Sequence, residues 1–333
     1  MCLAAMTALG LGPAAASVPA AGDTAALLDQ AYAIKTSNHA RFVQLLQQLH
    51  QPGIALSPDQ QWRLRYLDSW EGSFTGDYAK AEPLLRDVAD HATDTDLQAL
   101  AAGTLLNILA ISHHYEEAFE RADHLAAQVP QIRERKVAYV ALSQLSQLMA
   151  SAQQSESAVT YARQMMQFAE PGQSMCRPYV YLFGALNAKG DLPTTAPIFR
   201  QAIDACTASG EPMFADTVEL DLARRLAETG KPQAALELLR RLEQTVNAQG
   251  FQVHVYVLRS DFGYAYWMSG DAANAKRWAQ SALAMDPKGN FYGLAEYVYR
   301  VLYEVARKAG DYRTALEYYQ HYRDVLARSV SDT

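Results

Sequence analysis

Cysteine is scarce in this chain: three occur in 333 residues, at positions 2, 176 and 206. That excludes a disulfide-dense scaffold and a multi-cysteine zinc module. Basic charge is also short. With 29 Lys and Arg against 36 Asp and Glu, the formal net charge is −7, which argues against a protein built to neutralise nucleic-acid phosphates or an anionic membrane surface. After Asp23 there is no charge-free apolar run of about 18 residues, so nothing in the body of the chain reads as a membrane span. No G-x-x-x-x-G-K-S/T, G-x-G-x-x-G, H-E-x-x-H or G-x-S-x-G occurs. What is present is apolar bulk: 50% hydrophobic and 20% charged residues are enough to bury a large core.

From Met1 to Gly22 no residue is charged. An apolar run, Cys2 to Leu9, is followed by small residues, Ala14 to Ala21, as in a secretory signal peptide cleaved near Ala16 or Ala20. A basic start is missing, since the first Lys or Arg is Lys35, so an alanine-rich disordered tail is the alternative. The chain divides on this reading into a leader at 1–22 and a single array at 23–333.

Small polar turns followed by an alanine recur down that array. They begin at Gly76, His113, Gln153, Gly190, Gly230, Gly270 and Gly310. Each sits between two helical patterns. After the last turn, Tyr312, Ala315, Leu316, Tyr319 and Tyr322 step along one face of a 3.6-residue period. The glycine supplies a left-handed residue where the first helix ends, the following Asp is placed to cap the second, and the alanine lets the two helices approach closely. Prolines at 130, 171 and 287 mark helix stops. The even spacing of the turns predicts an all-α, right-handed α-solenoid of about seven helix-turn-helix repeats, preceded by a partial unit from Leu27 to Leu49.

These units resemble tetratricopeptide repeats. The sixth matches best, with Gly263, Tyr266, Gly270, Ala275, Ala279, Ala282 and Pro287 at consensus spacings. The third departs by placing Gln153 at the turn glycine, and the fourth by placing Thr195 at the packing alanine. The turns recur at a longer interval than the tetratricopeptide period, so a different helical repeat is the alternative. A narrower resemblance rests on Leu27-Leu28-Asp29-Gln30-Ala31 through Arg41-Phe42, on Phe199 to Cys206 leading into Gly210-Glu211-Pro212, and on Tyr299 to Ala306 before Gly310-Asp311. In these segments the chain is similar to the periplasmic sensor region of bacterial tetratricopeptide-containing GGDEF diguanylate cyclases. The resemblance implies a periplasmic sensory module whose cyclase, linker and membrane span would follow beyond Thr333, with no cofactor and no catalysis in this part; the alternative is a free-standing tetratricopeptide scaffold or adaptor for protein–protein interaction.

Chemistry within the chain itself is sparse. His113, His114, Glu116 and Glu117 at one turn read as a capped, solvated helix start rather than metal ligands. Cys176 and Cys206 have no histidine at a nucleophile's spacing. A solenoid offers a concave groove lined by the first helix of each repeat. Repeat register places Arg63, Tyr66, Trp70, Asn107, Gln147, Arg177, Arg224, Tyr264, Trp267, Arg300 and Glu304 there, where arginines between aromatics suit a protein or peptide partner or a small-molecule signal. The alternative is that the aromatics are inter-repeat core and the arginines merely solvate. Arg177 and Arg224 are expected to be solvated charges of little weight in stability. A carboxylate clamp built on Asn107 and the arginines lacks its matching lysines. Tyr292, Tyr297, Tyr299, Tyr303, Tyr312, Tyr318, Tyr319 and Tyr322 crowd the last repeats, and any exposed remainder would suit a homodimer contact. Finally, Cys176 precedes the turn at Gly190 by nearly as many positions as Cys206 follows it. Antiparallel helices bring them to one end of the hairpin, where they form a disulfide or remain two reduced core residues.

Overall fold

The computed structural model describes residues 21–331, except 113, 170–173 and 191. Most of the leader read at 1–22 lies outside these residues, as do His113, Pro171 and the side chain of Tyr292. Within them the chain is helical, sixteen α-helices arranged as eight antiparallel hairpins. The N-terminal hairpin pairs α1 (Ala21–Ile34) with α2 (His39–Leu49). Seven repeats follow: α3 (Pro58–Thr75) with α4 (Tyr78–His91), α5 (Thr95–Ile111) with α6 (Tyr115–Gln128), and α7 (Arg135–Ser151) with α8 (Ser155–Phe168). Then come α9 (Cys176–Asn187) with α10 (Pro197–Ala208), α11 (Pro212–Glu228) with α12 (Pro232–Gln249), α13 (Gln252–Met268) with α14 (Ala272–Met285), and α15 (Glu296–Lys308) with α16 (Tyr312–Ser331). The expected all-α repeat array is the observed one.

Local chemistry explains the punctuation. Ser57 and Gln60 form a capping box at the start of α3, with Pro58 in its first turn. At the other end Gly76 adopts φ 74°, and Asp77 N–H returns to the Gly72 carbonyl at 2.8 Å. The same six-residue closure recurs at His114, Gln154, Lys231, Asp271 and Asp311, at 2.8–3.1 Å. Gln153 takes the glycine's place with φ 59°, the one left-handed non-glycine residue among those described. Asp271 and Asp311 accept from the backbone N–H three residues on, as expected. Asp77 makes no such cap, which corrects that expectation at the first turn.

Small residues set the helix spacing. Ala81, Ala118, Ala158, Ala235 and Ala275 are fully buried, and a Cβ on Gly263 would lie 3.2 Å from the Ala279 backbone nitrogen. The fourth repeat breaks register. Its second helix starts only at Pro197, so Thr195 is an exposed loop residue and Ile198 and Phe199 fill the interface. Pro193 and Pro197 delay the helix, because neither can donate to an earlier carbonyl. This repeat has the shortest pair of helices, 12 residues each, and a hydrophobic cluster of its own around Phe183, Phe199 and Val218. Within that cluster the structure joins Cys176 to Cys206, both fully buried, with Cα atoms 4.4 Å apart.

The array curls far enough to meet itself. Asp286 accepts from the Asn290 and Phe291 N–H groups at 2.8 and 2.7 Å, a turn that presents both side chains. Asn290 Nδ2 donates to the Gly76 carbonyl at 2.8 Å. Phe291 packs edge-on against Tyr78 and beside Tyr256, and a Cβ on Gly76 would come within 2.6 Å of its ring. Next to this seam Phe74 lies between His39, Trp70 and Phe251. No helix among the described residues is long and apolar enough to cross a membrane.

Candidate functional site

The inner face of the array is formed by the first helices of successive hairpins, and most of its polar side chains are spoken for. Arg224 on α11 donates from Nε to Asp261 Oδ1 at 2.8 Å and from Nη2 to Oδ2 at 3.3 Å, with Asp221 at 3.4 Å and the Tyr297 ring beneath its guanidinium. The Asp261 side chain has no exposed surface. Burial lifts its carboxyl to about 6 against the opposing pull of Arg224. Tyr297 donates to Glu228 at 2.6 Å and meets Tyr264 edge-on. Arg224 is therefore part of a buried knot across α11, α13 and α15, not the solvated charge expected of it.

The other expected groove positions sort into three groups. Tyr66 and Tyr264 are buried between repeats, 2% and 4% exposed, and serve packing rather than an open groove. Tyr66 reaches Thr104 Oγ1 at 3.3 Å. Arg63, Asn107, Gln147 and Glu304 are bound within the chain. Arg63 pairs with Asp29, Gln147 Nε2 donates to Asn107 Oδ1 at 2.7 Å, and Glu304 holds Arg307 at 2.7 Å. The Asn107 clamp is thus occupied by a neighbouring repeat. Trp70, Trp267, Arg177 and Arg300 keep part of their surface in the groove. Trp267 carries Lys308 4.0 Å over its ring, and exposed Arg300 lies over Tyr264. Arg63 also borders a cavity of about 310 Å³ with Asp59, Trp62, Thr93, Asp94 and Leu97.

Where α1 faces the fourth repeat, the inner face gathers charge. Arg177 Nε donates to Glu211 at 2.8 Å, Nη2 to Thr36 Oγ1 at 3.3 Å, and the guanidinium lies over Phe214. Half-buried Lys35 places its ammonium 4.6 Å over Tyr32 and 5.3 Å over Trp70. Burial and the nearby Arg177 lower its pKa to about 7. The repeat register marks none of Lys35, Asp261 and Phe291.

At the second turn Glu117 holds Arg86 and Arg121, which places it in an ion-pair network between α4 and α6. His113 lies outside the described residues. Of the crowded tyrosines, Tyr299 stacks on His321 and Tyr303 packs against Tyr319. Tyr312 is 72% exposed and, with Leu316 and Tyr319, forms an apolar strip on α16.

No protein-family model matches the chain, and no curated protein is similar to it. Among solved structures the chain is similar to a Rap protein complexed with competence and sporulation factor, with TM-score 0.52 and 14% identity over 94% of this chain and 79% of that one. It is similar also to NprR in complex with its cognate peptide NprX, with TM-score 0.52 and 12% identity over 80% of each chain. These likenesses show the fold, a tetratricopeptide-like helical solenoid.

Proposed function

We propose that the chain is a non-catalytic module that binds a peptide or an extended protein segment along its inner face. The observation that carries this is the fold shared with a Rap protein complexed with competence and sporulation factor and with NprR in complex with its cognate peptide, together with an inner face whose partly exposed groups, Lys35, Trp70, Trp267 and Arg300, are the cationic and aromatic types that anchor peptides. Fluorescence anisotropy against a labelled random-octapeptide library tests it. Enriched sequences should bind saturably and lose affinity in Trp267→Ala. A library from which nothing is enriched overturns the reading.

Within that reading we place the module in the periplasm, as the sensory part of a membrane signalling protein of the GGDEF diguanylate cyclase kind. The segments quoted from the sequence support this, and so does the paired Cys176–Cys206, a bond that persists in oxidising compartments. Fusion of residues 1–333 to an alkaline phosphatase active only after export should give active reporter, and thiol counting on denatured exported protein should find no free cysteine in the array. A silent reporter, or two titratable thiols, removes the periplasmic assignment. The exposed strip of Tyr312, Leu316 and Tyr319 fits a homodimer contact. Sedimentation at micromolar concentration should show dimers that Leu316→Glu dissolves.

A further inference from the structure

Three features meet where the loop after α1 touches the fourth repeat. Lys35 has no carboxylate within reach among the described residues and is held only by the faces of Tyr32 and Trp70. Arg177 is aimed by Glu211 and Thr36 through Nε and Nη2, which leaves Nη1 with no partner among the described residues. Its charge bears directly on Lys35, Tyr32, Tyr66, Tyr139 and Tyr181. The Tyr139 hydroxyl, on a side chain 3% exposed, has no hydrogen-bond partner among the described residues although it can donate. Other charges near the cluster are already matched or lie in solvent. Arg63 is paired with Asp29, and Glu134 is exposed at the start of α7.

We infer that Lys35 and Arg177, with the Tyr139 hydroxyl, form a binding site for a single carboxylate on the inner face, spanning the N-terminal hairpin and the fourth repeat. The charge arithmetic selects the ligand. Glu211 balances Arg177, so protonation of Lys35 leaves one positive charge without a counterion. One monoanion matches that; a phosphate dianion does not. A carboxylate can also lie in the guanidinium plane and accept a directed, charge-assisted hydrogen bond from Nη1. The ammonium that Arg177 repels when the site is empty becomes favourable once an anion lies between them, so binding should take up a proton near neutral pH. The site deepens the peptide-binding reading and rests on it for its natural ligand, whose carboxylate is either a chain terminus or an Asp or Glu side chain. It differs from a clamp on Asn107, which Gln147 occupies.

Side-chain NMR of lysine-labelled protein tests the site without any peptide, with Lys35→Met assigning the resonance. Three probes are titrated: N-acetylglycinate, which presents a chain-terminal carboxylate, N-acetylaspartic acid α-amide, which presents a side-chain one, and neutral N-acetylglycinamide. At least one carboxylate should move the Lys35 titration midpoint from about 7 to above about 8, with the amide inert. The better of the two names the source. The effect should vanish in the charge-neutral double variant Arg177→Gln/Glu211→Gln, whose helicity is checked by circular dichroism. A Lys35 midpoint that no carboxylate moves overturns the site, as does tighter binding of inorganic phosphate or an unaltered response in the double variant. Octapeptides that bind the parent and Lys35→Met equally, free or amidated, would sink the site and spare the peptide reading. Carboxylates that titrate Lys35 while no peptide binds would do the reverse.

Discussion

Arg224 shows how an inner-face charge becomes a structural one. Its guanidinium is forked onto a carboxylate with no exposed surface, so reversing its charge leaves Asp261 buried beside a second anion. We expect Arg224→Glu to lower unfolding free energy by about 3–5 kcal/mol in urea denaturation, and the apolar pair Arg224→Met/Asp261→Leu to recover most of it. A loss below roughly 1 kcal/mol would return Arg224 to the solvated role that its register suggests. Asp216 carries the opposite message. It is buried, accepts from Gln249 Nε2 at 2.6 Å, and has its carboxyl raised to about 7, chiefly by burial. Because that value lies above the unfolded one, the native state binds the proton more tightly, and stability falls as pH rises from about 4 to about 7. Asp216→Asn removes the titration. Its stability advantage over the parent should grow by roughly 2–3 kcal/mol between pH 5 and pH 8, read from chemical denaturation at each pH. An advantage that does not change with pH contradicts the assignment.

At the scale of the helix and its turn, Gln153 stands where five other turns place glycine in the left-handed region. The six-residue closure at Gln154 is intact, so the fold imposes the conformation and the side chain bears its cost. Gln153→Gly should therefore stabilise the array by about 0.5–1 kcal/mol despite glycine's greater freedom when unfolded, and the urea midpoint reports it. A destabilised variant would mean that the glutamine side chain has a role the backbone does not reveal. The turns and paired helices were legible in the sequence because a period repeated seven times averages out local ambiguity. The fourth repeat's late second helix was not, since two nearby prolines override the period. The inner-face pairs were half legible. Arg224 and Asp261 are 37 apart in the sequence, Asn107 and Gln147 are 40, and Arg177 and Glu211 are 34. Complementary side chains one period apart fall side by side on adjacent first helices, and that rule, applied in advance, would have turned a row of separate groove candidates into bonded pairs.

The whole molecule adds what no repeat contains. Lys35 beside Arg177, and Phe291 on Gly76, depend on small rotations summed over several hairpins, and no local pattern records that sum. The seam also predicts its own weak point. Phe291 is almost fully buried, but only one turn holds it in place. We expect Phe291→Ala to strip hydrogen-exchange protection from residues near 74–78 and 286–291 while the second to fourth repeats keep theirs. Loss of protection across the entire chain would show instead that the seam is essential to the fold. Helical arrays assemble quickly because nearly every contact is between sequence neighbours. The bond from Asn290 to Gly76 joins residues 214 apart, and five hairpins must already stand correctly before those groups can meet. Closure is thus expected to be the last event in folding and the first to reverse, a slow step set on a fast-folding chain.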